Sequence, residues 1–398
     1  MPERFAPLDL DHLPVVDHHC HPWREGDDPF ASGSYRMLFT EGDDPRLGEE
    51  VPATVYYRWT LRELARVLGC GPGEAEVLAA RSALGHGAVE AKLMAEAHVE
   101  AAILDDLYAG RGGRRSSVAE MCGRLGGART YRALRLESVL ETLVCLSRDA
   151  GEVEDRFRAR LDLATLRAEG VVSLKSIVAY RTGLGILPVV REDAYAAFTG
   201  LKRDADRDGS VRIADKVFLD YFLRIALGWC GELRFPIQFH TGFGDTDIDP
   251  PTARPSALKH VCDDPAFREA PLVLLHAGYP DVRELGYLAS VYANVHVDVG
   301  LAIPFAATGY ETIFREALAL APTTKVLWSS DGFSIPEHTW FAARQGRRAL
   351  GRVLGELVGD GAIDQAEGVE IATQVLSANS RRLYRLDDAA GPAGRGDA

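Results

Sequence analysis

Eight short apolar segments, each ending in a polar residue beside a glycine or a turn, recur along the 398-residue chain. Six clear segments lie at 13–22, 171–183, 234–242, 271–278, 293–300 and 324–332, and two weaker ones lie at 99–110 and 131–138. Amphipathic helical patterns lie between them, and this alternation is typical of parallel strands that are buried on both faces. Eight such units predict an α/β fold, the (β/α)₈ or TIM barrel.

One stretch departs from this alternation. Residues 24–98 contain helical patterns, including a long alanine-rich one, that do not fit a simple strand–helix unit. We interpret them as a helical insertion after the first strand, which covers the barrel mouth or forms a contact in a homo-oligomer. Residues 1–386, including this insertion, are expected to form a single domain, and the sequence of 387–398 predicts a disordered tail.

Charge and composition narrow the classes of partner. The formal net charge of −13 is spread along the chain, which favours a soluble protein with no nucleic-acid partner. No apolar run reaches 18 residues and no signal pattern opens the sequence, so no membrane partner is expected. The six cysteines show no paired spacing, and reduced thiols in the cytoplasm are the expected state.

Residues that can bind metals cluster at the end of the first strand, in the sequence DHHCH at 17–21. Successive side chains of a strand point to opposite sides, so Asp17, His19 and His21 share one side. His18 and Cys20 take the other side, and we expect them to face the packing outside the barrel. Two imidazoles two positions apart are well placed to bind one metal ion.

Three further candidate ligands, His240, His276 and Asp331, close later strands. The carboxyl ends of parallel strands meet at one face of a barrel, and the active site of this fold lies there. Four imidazoles and a carboxylate at that face match the preferences of Zn²⁺ or a similar divalent ion. The sequence therefore predicts a site for one or two divalent ions, Zn²⁺ first, with Mn²⁺ and Fe²⁺ as alternatives.

At these positions the sequence resembles the amidohydrolase superfamily of metal-dependent barrel enzymes, whose pattern is HxH after strand 1, His after strands 5 and 6, and Asp after strand 8. More narrowly, LKSIVAYRTGL at 174–184 is similar to the amidohydrolase-like domain fused to glutamine-synthetase-like domains in fungi and plants. The resemblance implies hydrolysis of an amide-type C–N bond, or of a related ester or lactone, in a small carboxylate-bearing substrate. It implies that the metal activates the attacking hydroxide.

The resemblance also implies a role for each candidate ligand. His19, His21 and His240 would hold one metal ion. Asp331 would be a further ligand and the catalytic group that accepts a proton from the attacking water. The second catalytic residue, His276, would bind a second ion or polarise the scissile carbonyl.

The number of metal ions depends on Lys175, at the end of the fourth strand. Some members of the superfamily carry a carboxylated lysine there that bridges two ions, which requires a depressed pKa for the amine. Alternatively, Lys175 binds the carboxylate of the substrate or pairs with a nearby acid such as Glu137.

Candidate substrate-binding residues lie in the loops after the strands. Tyr180 and Arg181 follow the fourth strand, and the planar fork of an arginine suits a carboxylate. A structural salt bridge is the alternative explanation for Arg181. His338, past the eighth strand, is a candidate substrate contact. Asp298, at the end of the seventh strand, either orients a ligand imidazole or binds substrate.

A second metal-like pattern, DADRDGSVRIAD at 204–215, matches the calcium loop of an EF-hand except that Asp215 replaces the final glutamate. We favour the alternative, a solvated acidic turn that leads into a helix with Asp215 as its N-cap.

Two other functions fit the same residues. A barrel with this ligand set can act as a zinc-dependent non-oxidative decarboxylase, in which the strand 6 histidine protonates the carbanion. A barrel that only binds a metal ion, with 204–215 as a calcium sensor, is the other alternative.

Overall fold

The computed structural model describes residues 5–25, 32–107 and 114–388. Its sheet has eight strands that pair in parallel and in chain order. They are β1 Val15–Cys20, β2 Val99–Leu104, β3 Arg129–Arg135, β4 Val171–Ser176, β5 Ile237–Phe239, β6 Leu272–Leu274, β7 Val295–Asp298 and β8 Val326–Leu327. A two-residue strand, Gly300–Leu301, lies outside this sheet.

The segment after β8 brings the sheet close to a closed barrel. The backbone N–H of Asp331 donates to the carbonyl of His19 at 3.0 Å, and that of His21 donates to the carbonyl of Gly332 at 2.8 Å. The Asp17 carboxylate accepts a further bond from the backbone N–H of Ser330 at 2.8 Å. The predicted (β/α)₈ barrel is therefore confirmed.

Helices surround the barrel and separate its strands. Those after β2 span Val118–Arg124, Leu136–Leu146, Ala150–Arg160, Leu163–Ala168, Arg191–Asp208, Lys216–Leu233, Lys259–Asp263, Val282–Val291, Ala302–Phe305, Tyr310–Leu320, Pro336–Gly359, Gln365–Thr373 and Asn379–Tyr384. Two apolar layers result, because both faces of each strand are buried. One layer lies between the sheet and the helices, and a smaller one inside the barrel includes Val16, Ile103, Tyr131, Val273 and Leu327.

The predicted helical insertion lies between β1 and β2. Its helices span Ser32–Arg36, Leu47–Glu50, Val55–Leu68, Glu74–Leu84 and His86–Ala97. Polar contacts tie it to the helix that follows β8, where Arg81 Nε donates to the buried carboxylate of Glu337 at 2.6 Å. Tyr56 Oη lies 2.6 Å from His338 Nδ1 in the same interface. The insertion is thus fixed beside the carboxyl ends of the strands.

The expected orientation of His18 is wrong. Its imidazole is fully buried and lies 3.0 Å from Asp298 of β7 and 3.1 Å from Tyr384, so it points into the barrel. The register of β1 against β2 shifts between Asp17 and Cys20, which breaks the two-residue alternation there. Cys20 does pack in the apolar layer outside the sheet.

Residues 204–215 do not form a calcium loop. Asp204, Asp206 and Asp208 lie on the helix Arg191–Asp208 and form ion pairs with Lys202 and Arg207. An EF-hand needs these positions in a non-helical loop that wraps around the ion. The carboxylate of Asp215 accepts a bond from Phe218 N at 2.9 Å and caps the next helix, as the favoured alternative predicts.

Replacing Asp215 with alanine is expected to lower the free energy of unfolding by about 1 kcal/mol, because the helix loses its N-cap. The exposed Asp208→Ala change is the control and is expected to stay within about 0.5 kcal/mol. Thermal unfolding with and without 1 mM Ca²⁺ tests both points. A calcium-dependent rise in Tm that Asp208→Ala abolishes would restore the EF-hand interpretation.

The described C-terminal residues close the lower end of the barrel. Tyr131 Oη donates to the carbonyl of Leu386 at 2.8 Å, and Asp387 pairs with Arg129 and Arg381. Most of the predicted tail, 389–398, lies outside the described residues. Within the described ranges, every helix is too short or too polar to cross a lipid bilayer.

Candidate metal centre and substrate cleft

The candidate ligands converge at the carboxyl ends of the strands. His19 Nε2 and His21 Nε2 lie 3.3 and 3.2 Å from Asp331 Oδ1, and His276 Nδ1 lies 3.7 Å from Asp331 Oδ2. The ring centroids of His240 and His276 lie 4.4 Å apart, with the rings tilted by 56°. All five side chains are buried. The structure therefore brings together the residues that the sequence placed at separate strand ends.

Hydrogen bonds to backbone carbonyls fix the position of the proton on two of these imidazoles. His21 Nδ1 lies 3.0 Å from the carbonyl of Asp105, and His240 Nε2 lies 3.0 Å from that of Phe243. A carbonyl only accepts, so these nitrogens carry the protons. In the neutral rings, His21 Nε2 and His240 Nδ1 then keep their lone pairs, which is the arrangement that metal-binding histidines require.

The residues present fit a divalent cation. His21 Nε2 lies 3.2 Å from a carboxylate oxygen of Asp331, close enough for both atoms to bind the same cation. Asp331 Oδ1 and His276 Nδ1 are buried and form no hydrogen bond within the described residues. Imidazole nitrogens and one carboxylate are the donor set that Zn²⁺ prefers.

The backbone at the site is strained. His276 and Asp331 have φ values of 67° and 48°, a left-handed region that residues other than glycine rarely adopt. Hydrogen bonds hold both residues there: the N–H of His276 donates to Asp298 Oδ2 at 3.0 Å, and that of Asp331 donates to the carbonyl of His19. Such strain collects at functional sites, where the surrounding structure maintains it.

Burial sets the protonation of the histidines. It lowers the pKa of His19 to about 4, with the nearby charge of Lys175 adding to the effect. Burial also lowers the pKa values of His240 and His276 well below their usual range. These rings are therefore neutral at neutral pH and available as metal ligands. Burial alone would raise the pKa of Asp331, but the surrounding histidines bring it well below its usual value.

Lys175 lies within the same cluster, with Nζ 3.2 Å from His19 Nε2. Burial lowers its pKa to about 8, against the opposing charges of Asp105 and Asp331. Among the described residues it forms no ion pair with Glu137, whose carboxylate accepts a bond from Ser176 Oγ at 2.6 Å. The structure therefore places Lys175 beside the candidate metal ligands.

A cleft of about 140 Å³ opens over the cluster. Besides the candidate ligands, its lining includes Glu41, Arg135, Tyr180, Arg181, Arg212, Asp245, Asp247, Leu301 and Phe333. The ring of Tyr180 lies 4.3 Å from that of His240. Arg181 donates through Nη2 to Glu141 at 3.1 Å, while its buried Nε has no partner within the described residues. Both interpretations of Arg181 thus have support: it forms a salt bridge and keeps a donor free.

The structure does not place His338 on the lining of the cleft. Its ring is buried against Phe333, with ring centroids 4.7 Å apart, and Phe333 is the residue that lines the cleft. His338 instead contacts Tyr56 of the insertion. A direct contact of His338 with substrate stays a prediction; the structure shows its ring packed against a residue of the cleft lining.

Sequence reasoning missed a buried ion pair at the ends of β2 and β3. Arg135 donates through Nε and Nη2 to Asp105 Oδ2, at 2.9 and 2.6 Å. The same rule that found His240 and Asp331, a polar residue at a strand end, applies to both. Glu41 and Arg212 lie in segments outside the strand ends, and no pattern in the local sequence indicates that these segments reach the cleft.

Solved structures of other proteins share this architecture. A protein from Lactobacillus casei ATCC 334, described as a metal-dependent hydrolase, matches with a TM-score of 0.86 and 27% identity, over 96% of this chain and 99% of that one. Uronate isomerases of Thermotoga maritima and Bacillus halodurans match with TM-scores of 0.62 and 0.61 at 14% and 12% identity. Their matches cover 94% of this chain and 95% and 94% of theirs. The isomerases share the fold.

Sequence comparison identifies the family. Protein fluG of Emericella nidulans is 36% identical over 226 residues, which cover 55% of this chain and 26% of that protein. The chain thus matches about a quarter of the length of this curated relative. The sequence model of the amidohydrolase family matches residues 178–386, more than half of the chain. As the strand-end residues led us to expect, the chain belongs to the amidohydrolase family.

Proposed function

We propose that this protein is a metal-dependent hydrolase that cleaves an amide-type C–N bond, or a related ester or lactone, in a small carboxylate-bearing substrate. The observation that carries the proposal is the convergence of His19, His21 and His276 on the two oxygens of Asp331. Membership of the amidohydrolase family supports it.

In this proposal His19, His21, His240 and Asp331 would hold a divalent ion, with Zn²⁺ as the first candidate. When bound, such an ion would supply the acidity that makes water a nucleophile at neutral pH. Asp331 would accept a proton from the attacking water and pass it to the leaving nitrogen or oxygen. His276, neutral because it is buried, is placed to polarise the scissile carbonyl or to bind a second ion.

The cleft favours a small anionic substrate. Three arginines, Arg135, Arg181 and Arg212, and Lys175 line a space of about 140 Å³. Arg135 and Arg212 donate to carboxylates, Asp105 and Asp247. Arg181 keeps its buried Nε without a partner among the described residues, so it is the residue that we assign to the substrate carboxylate.

The proposal is tested with purified, Zn²⁺-loaded protein and a panel of N-acyl amino acids, γ-glutamyl amides, lactones and aromatic carboxylates. Release of an amine or ammonia, or opening of a lactone, with consumption of water is the expected result. Release of CO₂ from an aromatic carboxylate without consumption of water would replace the proposal with decarboxylation. A hexuronate, taken from the isomerases that share the fold, tests isomerisation in the same assay.

Replacing Arg181 with methionine is expected to raise KM for the carboxylate-bearing substrate by about 10- to 100-fold, because a charge-assisted hydrogen bond contributes about 1.5–3 kcal/mol. Metal content is expected to stay unchanged. Arg132→Met, which removes an ion pair with Asp106 outside the cleft lining, is the matched control. Steady-state kinetics measure the effect, and an unchanged KM would assign Arg181 to the Glu141 salt bridge alone.

A further inference from the structure

A continuous chain of buried hydrogen bonds runs through the barrel interior to the metal centre. It begins at Gln238 on β5, whose Nε2 lies 3.0 Å from Tyr384 Oη. Tyr384 Oη lies 3.1 Å from His18 Nδ1, and His18 Nε2 lies 3.0 Å from Asp298 Oδ1. The other oxygen, Asp298 Oδ2, accepts the backbone N–H of His276 at 3.0 Å.

The chemistry of these groups indicates which one donates and which one accepts in each hydrogen bond of the series. A carboxylate only accepts hydrogen bonds, so His18 Nε2 carries the proton that it donates to Asp298. When His18 Nδ1 carries no proton it is an acceptor, and Tyr384 Oη donates to it. The Tyr384 oxygen in turn accepts from Gln238 Nε2, which is a donor only. This arrangement of protons satisfies every bond of the series.

The series of hydrogen bonds ends at a residue with a strained backbone. His276 has a φ of 67° and Ala277 a φ of 58°, and both are left-handed without being glycine. The Asp298 carboxylate accepts a hydrogen bond from the backbone N–H of His276 in this conformation. His276 Nδ1 then lies 3.7 Å from Asp331 Oδ2. Strained backbone persists only where neighbouring groups hold it, and Asp298 is such a group.

We propose that His18 and Asp298 are positioning residues for His276. His18, fixed by Tyr384, holds the Asp298 carboxylate at the orientation that keeps the His276 backbone left-handed and its imidazole against Asp331. The catalytic use of His276 in this inference rests on the proposed hydrolase function. The positioning of His276 by His18 and Asp298 does not depend on that function. Partners that orient the residues around a metal contribute about 10- to 100-fold to activity.

Graded variants separate positioning from packing. His18→Leu fills the space but removes both hydrogen bonds, whereas His18→Gln can keep a donor to Asp298. Tyr384→Phe removes only the hydroxyl bond. Ile103→Val, in the same interior apolar layer but outside the chain of bonds, is the control for a general loss of packing.

The readouts are the crystal structures of the Zn²⁺-loaded variants, their zinc content, and kcat and KM for the best substrate of the panel. His18→Leu is expected to displace the His276 imidazole from Asp331 and to lower kcat about 10- to 100-fold with KM little changed. His18→Gln is expected to retain most of the wild-type kcat. The kcat of Tyr384→Phe is expected to lie between those of His18→Leu and His18→Gln, and that of Ile103→Val to match the wild type.

Two results would overturn the inference. The first is an unmoved His276 in the His18→Leu structure, or in the Tyr384→Phe structure if the leucine variant does not fold. The second is an equal loss of kcat in His18→Gln and His18→Leu. A wild-type protein that binds no zinc and hydrolyses none of the panel would instead refute the proposed function, and the position of His276 in the variants would still test the positioning.

Discussion

Replacing Asp331 with asparagine is expected to lower kcat by on the order of 10³-fold, within the range that a positioned acid–base group contributes. The amide keeps the size and shape of the side chain but cannot accept a proton from water. It also removes the negative charge that faces His19 and His21 at 3.3 and 3.2 Å. Steady-state kinetics at saturating substrate, with metal content and Tm measured on the same sample, give the result.

The matched control for this change is Asp106→Asn. Asp106 lies next to the buried Asp105 but pairs with Arg132 and is not among the residues that line the cleft. Its activity is expected to stay within about twofold of the wild type, since surface substitutions away from a site have small effects. Comparable kcat values for Asp331→Asn and Asp106→Asn would contradict the role assigned to Asp331.

Removing the metal ion is expected to abolish activity and to lower the stability of the protein. A ligand present at 100 times its Kd stabilises the folded state by about 2.7 kcal/mol, so dialysis against a chelator lowers Tm by a measurable amount. Restoring Zn²⁺, Mn²⁺, Fe²⁺ or Co²⁺ one at a time then identifies the ion that supports catalysis. The His21→Ala variant is expected to show the same loss of activity and metal as the chelated protein, because His21 Nε2 faces Asp331 directly in the wild type.

The exposed His260 provides the control for His21, and His260→Ala is expected to retain its metal.

Elemental analysis of the untreated protein also decides the role of Lys175. Two ions per chain support a carboxylated Lys175 between them, and one ion supports an unmodified lysine beside His19. Full activity after the chelator treatment would refute the metal-dependent mechanism.

Much of the site was predictable because it follows from the fold. Once eight apolar strands are recognised as parallel, their carboxyl ends must share one face, whatever the loops between them do. Residues as far apart as His19 and Asp331 could therefore be placed together from the sequence alone. The same rule, applied to the two weaker strands, would have added Asp105 and Arg135.

The errors concern single side chains. The alternation of a regular strand turned His18 outward, but the register of β1 shifts within DHHCH and His18 joins Asp298 in the barrel interior. His338, expected near substrate from its position after β8, packs against Phe333 and is not among the residues that line the cleft. A one-residue irregularity, or the packing of one ring on another, leaves no mark on the local sequence pattern.

By itself the sequence determined the barrel, the helical insertion after its first strand and the strand-end residues that meet at its carboxyl face. These follow from the period of buried apolar residues, a local property that eight repeats of one unit reinforce. Only the tertiary structure decided how His21 and His240 are oriented, that Arg181 of the cleft lining has a buried Nε without a partner among the described residues, and how His18 reaches His276. Each of these depends on contacts between residues far apart in the chain, whose distances and directions are set by packing and register.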